Sequence, residues 1–549
     1  MRSLRGDSRY QALFLAAFAG YVILVLPFTR EMPMHEEVIH LRDTASWSSA
    51  LAYFCHPPLY ALMARSSRSV FGEGFRSLYL IGILSALVNI YLVGRIVDAV
   101  ASGLPQRRRR LAVLSGMWAV VLMPVFVHGS LLLEMEPTVL TPLCLLALWY
   151  YIRHGGGPTP MPARFYVTTG ILFGLAMWAK YFITPFLLIG AIFVYEATTG
   201  GRFARAARNT LIILASALAL FVPTYLLYSH LFIKGMNSFT FLFFNKPQEG
   251  VPILLSSRIL FSMGTKLAAF TFWFSPFFIA LFLYLSAGLV ARWKDAGRER
   301  LLLISIGAIF FFYLFMHPYP FGESKYFYPI FPLLAVVTVK LFIDRGITLP
   351  PLRYVVLVPV CAVVIYFVLG DPLYRTLELY RNRMAPRVLL YIGLYAAVNL
   401  VLFGSLAAVL LRAVGRRRDA LCSALVYLAV GASLSLFAHQ AAGGYQTKIQ
   451  YGESGAGETV DFVRSAIPAQ SSVILPGDIG FYSGVHFSRT GATMAEFPGP
   501  GWDWIVQRKV NILRLAPGEL AALGNGYALV REIGSYEIYR KKGRLSYNR

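Results

Sequence analysis

The sequence predicts an all-α polytopic membrane protein, with interfacial helices in its outer loops and a small α/β domain at its C-terminal end. Three observations predict it. The chain of 549 residues is 57% hydrophobic and only 14% charged, where a soluble protein is about a quarter charged. Apolar runs of roughly 18 residues or more, long enough to carry a helix across a bilayer, recur from end to end. The basic residues cluster in the short gaps between those runs, the pattern of cytoplasmic loops.

Starting inside and alternating, about thirteen spans are expected, near 11–28, 77–97, 112–130, 137–152, 165–180, 182–198, 209–229, 266–291, 301–316, 326–343, 352–369, 388–411 and 419–438. The first run, YQALFLAAFAGYVILVLPF, follows a basic stretch but lacks a small-residue cleavage site, so it reads as a retained helix. The basic clusters at Arg2, Arg5 and Arg9, at Arg107 to Arg110, at Arg202, Arg205 and Arg208, at Arg292, Lys294, Arg298 and Arg300, and at Arg412 and Arg416 to Arg418 then all fall inside. The odd count puts the N-terminus in the cytoplasm and the C-terminal end outside. A net charge of +24 is accounted for by these loops and does not point to nucleic acid.

The membrane part covers 1–440, with outer loops at 30–76 and 230–266. In the first loop, TASWSSALAYFC and PPLYALMARSSRSVF read as short interfacial helices with Trp47, Tyr53, Phe54 and Tyr60 as aromatic anchors. Residues 441–549 form the α/β domain: GETVDFVRSAIPAQSSVILPGDIGFYSG reads helix, strand, then a Gly-rich turn, and YALVREIGSYEIYRKK reads as a hairpin. Cys55, Cys144, Cys361 and Cys422 imply no disulfide framework.

The first outer loop opens REMPMHEEVIHLRDTASW, an acidic concentration in a carboxylate-poor chain. Glu36 and Glu37 follow the first span at interface depth, where desolvation and like-charge coupling move a carboxylate toward general-base behaviour. A second acidic pair, Glu134 and Glu136, sits in the outer turn LLLEMEPT. Basic and His residues at other outer helix ends include His56, Lys180, Arg258 and Lys325. Carboxylates facing cations suit a reaction that takes a proton from an acceptor and stabilises a phosphate leaving group. The competing reading of the same charges is interfacial snorkelling and surface ion pairing. No Gly-rich phosphate loop opens a helix, which argues against a nucleotide-sugar donor.

In this order the motifs resemble the GT-C glycosyltransferases, within them the group of protein O-mannosyltransferases and the lipid A aminoarabinose transferase. Glu36-Glu37 stands where that group has an Asp-Glu pair, followed by Pro57-Pro58-Leu59, Phe71-Gly72 and Arg76. LLLEMEPT matches the second acidic site, GILFGLAMWAKYFITP the helix ending in Lys, and ESKYFYPIFPLLAV the basic-Tyr helix start. The count of spans and the outer C-terminal domain resemble the bacterial branch. The resemblance implies a GT-C-like fold in a bacterial inner membrane with a periplasmic C-terminal domain. It implies an enzyme that moves a sugar from a polyprenyl-phosphate carrier to a lipid, glycan or protein acceptor, with inversion. Glu36 inherits the general-base role, with Glu37, Glu134 and Glu136 as the other catalytic acids. Lys180, Lys325, Arg258 and His56 become phosphate ligands. The chain departs from the bacterial relatives at Cys55-His56, where Glu-Lys is frequent; a divalent metal on Cys55 and His56 is one expectation, His56 gripping phosphate when protonated another. Two other classes compete: a lipid-linked glycan polymerase or ligase, which concentrates basic residues in a large outer loop, and a transporter, which places charges at mid-membrane within repeats.

Overall fold

In the computed structural model of the chain, the structure describes residues 8–30, 33, 36–53, 57–155, 161–180, 182–200, 203–233, 263, 266–267, 270–271, 275–291, 293, 297–316, 324–347, 349, 385–443, 455–484, 502–509 and 517–542. Residues 234–262 of the expected loop 230–266, and the expected span 352–369, lie outside them. The chain divides into two compact units: one made of 1–30, 40–366 and 400–439, the other of 31–39, 367–399 and 440–549.

The larger unit is helical. Helix α1 (Ser8–Val25) runs into a 3₁₀ turn (Leu26–Arg30). After α2 (Glu36–Asp43), whose first residues fall in the other unit, come the short α3 (Trp47–Leu51) and α4 (Leu59–Phe71). Helix α3 starts where Ser46 Oγ accepts the Ser49 N–H at 3.0 Å, a side-chain N-cap. Next are α5 (Arg76–Val100), α6 (Gln106–Val121), α7 (Pro124–Gly129), a π-helical turn (Glu136–Leu140) leading into α8 (Thr141–Gly155), α9 (Ala163–Lys180), α10 (Ile183–Gly200) and α11 (Phe203–Phe232). They are followed by α12 (Pro276–Val290), α13 (Glu299–Met316), a 3₁₀ turn (Ser324–Phe327), α14 (Ile330–Asp344), α15 (Ala385–Val414), which again straddles the units, and α16 (Arg417–Gly443). Among the described residues, Ser8–Thr29, Arg76–Val100, Phe203–Phe232 and Gly393–Arg412 are long and apolar enough to cross a membrane. Ile183–Thr199 and Pro276–Val290 are shorter apolar helices.

Small residues set the closest approach. A Cβ on Gly170 would stand 2.3 Å from the Ile213 carbonyl, and one on Gly174 would stand 2.9 Å from that of Ala217. The spacing is the small-xxx-small face that lets helices meet in an apolar solvent, and it brings α9 against α11. At the basic ends, arginines donate to carbonyls at and near helix C-termini. Arg298 donates to Ala99 O at 2.6 Å, Arg345 to Leu285 O at 2.6 Å and Arg418 to Arg345 O at 3.0 Å. Arginines of the basic gaps thus tie helices together.

In the second unit, α17 (Ala456–Ala466), β1 (Val473–Ile474), α18 (Gly477–Ser483), β2 (Trp504–Arg508), α19 (Pro517–Gly526), β3 (Tyr527–Ile533) and β4 (Tyr536–Lys541) build a four-stranded sheet ordered β1-β2-β4-β3. β1 pairs parallel with β2; β2–β4 and β3–β4 are antiparallel, with Val506 opposite Ile538. Val460 and Val463 of α17 pack on Val506, Tyr536 and Ile538. Ile505 packs on the other face with Leu523 and Tyr527. A strand covered on both faces has no polar alternation, which explains why four successive residues of β2 are buried. The hairpin forms where it was expected. The Gly-rich turn does not: Gly477–Ser483 is a helix. Asp478 in its first turn pairs with Arg508 at 2.5 Å, and Ile479 is fully buried in the core, so packing and a charge at the helix N-terminus outweigh the turn propensity of the glycines.

Candidate active site

The site is built around the turn between α7 and α8. Glu134 and Glu136 lie deep within the protein, 2% and 1% exposed. The segment winds as a π turn before α8, with Pro137 in its first turn; such turns recur at functional sites. The Thr138 hydroxyl donates to the Glu134 carbonyl and the Thr141 hydroxyl to the Glu136 carbonyl, the latter at 2.7 Å. The Glu136 carbonyl also accepts the Thr141 N–H, the bond that closes the π turn.

Lys180, the last residue of α9, reaches Glu136 Oε1 as an ion pair. Its ammonium also lies 4.7 Å from the centre of the Tyr326 ring, within cation–π range. Tyr326 stacks on Tyr313 at 5.2 Å between centroids, and the Tyr313 hydroxyl meets Thr184 Oγ1 at 3.3 Å. The buried Lys266 ammonium donates to the carbonyls of Tyr313 and Leu314 at 3.1 and 3.3 Å, near the end of α13. The other carboxylate oxygen of Glu136, Oε2, is buried and accepts no hydrogen bond from the described residues. A lysine ammonium has three donors, so pairing with one carboxylate oxygen leaves N–H groups for a further acceptor.

Glu134 faces α2. His40 Nε2 stands 3.8 Å from Glu134 Oε2, and His40 Nδ1 and the Tyr53 hydroxyl are 3.0 Å apart. The Tyr60 ring meets His40 edge-on at 5.5 Å. The chain around His40 is fixed by a web of donors: Thr44 Oγ1 to His40 O at 2.6 Å, Arg68 to Leu41 O at 2.5 Å and Arg65 to Ala45 O at 2.7 Å. Glu73 forms ion pairs with Arg68, its carboxylate 3.0 Å from Nε, and with Arg65, 2.8 Å from Nη1. Burial pulls the Arg68 guanidinium below its usual pKa, and the charge of Glu73 opposes that shift. Charge-assisted bonds of this kind are the strong ones, and here they hold the α2–α4 segment as one piece.

Of the residues nominated from sequence, Glu134, Glu136 and Lys180 come together in one buried cluster. Two of them, assigned separate roles as catalytic acid and phosphate ligand, are partners. Glu36 and Glu37 open α2, Glu36 one helical turn before His40; their side chains lie outside the described residues, as does that of Lys325 in the Ser324–Phe327 turn. Arg258, Cys55 and His56 lie wholly outside them. Among the described residues no three His, Cys, Asp or Glu side chains converge on a point that would hold a metal ion. His40, Tyr326 and Lys266 received no role from sequence, and Tyr53 only that of an aromatic anchor. The i, i+4 spacing of Glu36 and His40 was the available signal for His40; the others reach the site through packing that leaves no local trace.

Residues 55–227 match the family model described as dolichyl-phosphate-mannose-protein mannosyltransferase. The fold is shared with ArnT from Cupriavidus metallidurans. Its crystal structure bound to undecaprenyl phosphate superposes with a TM-score of 0.58 at 16% identity, covering 98% of this chain and 99% of that one. Its apo crystal structure gives 0.57 at 14% identity, covering 97% and 98%. A search of curated proteins gives no match. The GT-C resemblance read from the motifs is therefore matched by the fold, and the chain is a multi-pass membrane protein.

Proposed function

We propose that this chain is a polyprenyl-phosphate-dependent glycosyltransferase of a bacterial inner membrane, acting at the periplasmic face on a lipid, glycan or protein acceptor. The observation that carries this reading is the buried Glu136–Lys180 pair with one carboxylate oxygen open, in a fold shared with a protein crystallised with undecaprenyl phosphate. A buried ion pair is poor evidence of stability alone, and an unsatisfied buried acceptor calls for an explanation. A ligand bearing both a hydroxyl and a phosphate supplies one: the hydroxyl donates to Glu136 Oε2 and the phosphate accepts from Lys180.

In the proposed reaction the acceptor hydroxyl loses its proton to a carboxylate, and its oxygen attacks the anomeric carbon from the face opposite the phosphate. The bond from that carbon to the phosphate oxygen breaks with inversion. Polyprenyl phosphate leaves carrying the electron pair, and Lys180, with Lys325 and Arg258, balances the charge that develops there. Glu36 is the proposed base, placed at the start of α2 one turn before His40. Glu136 is engaged by Lys180, so the reading gives the proton to a carboxylate outside that pair.

The test is release of polyprenyl phosphate from the lipid-linked donor in the presence of acceptor. Glu36→Gln keeps the shape and removes the base, so turnover is expected to fall about 10²–10⁴-fold with donor binding little changed. Glu37→Gln is expected to be milder. The reverse order moves the base by one residue; near-normal transfer in both removes this mechanism.

A further inference from the structure

Away from the acidic turn, α6, α12, α14 and α16 enclose an apolar groove of about 600 Å³. Leu111, Trp118, Phe278, Leu281, Phe342 and Val430 form much of its wall. It follows α6 from Arg108 to Leu122, about 21 Å at 1.5 Å per residue.

One end of this groove is basic. Gly346 and Ile347, just past α14, line it together with Arg108, and α16 starts nearby, its Arg418 bonded to the Arg345 carbonyl. The arginines here are not equivalent. Arg109 is engaged by Asp98 at 2.5 Å, and Arg110 lies over the Tyr10 ring at 5.2 Å. Arg107, Arg108, Arg416 and Arg417 are exposed. Thr338 also lines the groove; it is buried, and its Oγ1 has no hydrogen-bond partner among the described residues. It stands about 10 Å along α14 from Arg345 by helical rise.

We propose that this groove binds an anionic glycerophospholipid. An acyl chain lies between α6 and the facing helices, an ester carbonyl accepts from Thr338, and the phosphate sits at Arg108. The volume suits a chain-sized ligand, since ordinary small-molecule sites span about 300–1,000 Å³. A neutral lipid would fill the same apolar wall but gain nothing from four exposed guanidiniums, whereas basic pockets between membrane helices recognise anionic head groups. The site is independent of the acidic turn and of the transfer reaction.

Trp118 gives the readout. The full chain is reconstituted in phosphatidylcholine vesicles containing increasing fractions of phosphatidylglycerol brominated in its acyl chains. The quenching lost in Trp118→Phe reports the groove. Saturable quenching is expected at a lower fraction of brominated phosphatidylglycerol than of brominated phosphatidylcholine. Arg108→Gln, at an exposed position, is expected to shift that midpoint by about fivefold, the worth of one arginine at an anionic surface. Native mass spectrometry of the detergent-solubilised wild type gives a second measure that does not depend on the tryptophan variant: preferential retention of phosphatidylglycerol, lost in Arg108→Gln. Equal quenching and retention of the two lipids, or a preference unchanged in Arg108→Gln, overturns the proposal.

Discussion

Lys180 carries two demands at once. It neutralises a carboxylate that is almost wholly removed from solvent, and in the proposed reaction it holds the departing phosphate. Lys180→Met keeps most of the stem and removes the charge. Donor binding is expected to weaken roughly tenfold to a hundredfold, the loss of a charge-assisted contact worth about 1.5–3 kcal/mol. The same change leaves Glu136 without its cation, which is costly in a buried site. Lys180→Met with Glu136→Gln removes that penalty, so the pair of variants separates folding from binding. If the double variant recovers both thermal stability and donor affinity, Lys180 is a structural partner of Glu136 and no phosphate ligand. His40 belongs to the same scale: its distance to Glu134 places a titratable group beside the second buried acid, and no pattern in the sequence joins those two residues.

The turn that carries both acids depends on how tightly α5 approaches it. A Cβ added to Gly82 would stand 1.7 Å from the Ser130 carbonyl oxygen, a contact no side-chain rotation can relieve. Ser130 is fixed from the other side, its Oγ 2.6 Å from the Tyr21 hydroxyl and donating to Val127 O at 2.6 Å. Gly82→Ala is therefore expected to displace the turn and lower stability by roughly 1–3 kcal/mol, the usual cost of overpacking, read as a lower melting temperature in detergent together with reduced transfer. Unchanged melting and unchanged transfer would mean that α5 slides freely past the turn. The α9–α11 contact works by the same principle at Gly170 and Gly174, and it carries Lys180 at its end.

For the whole molecule the charge pattern has two consequences, one topological and one structural. Arginines that the proposed topology puts inside also bind carbonyls near the ends of other helices, so in that topology a single composition bias serves orientation and packing. The proposed topology puts the C-terminal sheet in the periplasm. A C-terminal alkaline phosphatase fusion is expected to be active and a C-terminal green fluorescent protein fusion dark; the opposite result, with good expression, inverts the topology and moves the acidic turn to the wrong face for a periplasmic acceptor.

The sequence by itself determined the class of the protein. Apolar run lengths, basic gaps and an early acidic cluster are local quantities, set by the bilayer and by 3.6-residue periodicity, and the hairpin was legible from its own turn and alternation. The positions of Glu134, Glu136 and Lys180 at helix ends were legible in the same way. Their pairing was not: Glu136 meets Lys180 only once packing brings the end of α9 to the π turn ahead of α8. The helix at Gly477–Ser483 was misread as a turn because its stability comes from the Arg508 pair and from burial of Ile479, both contributed by residues distant in the chain. The apolar groove has the same origin, since four helices remote in sequence form its walls. Local chemistry fixes which segments cross the membrane and which groups are reactive; only tertiary packing sets which carboxylate finds a cation and which is left with an open oxygen.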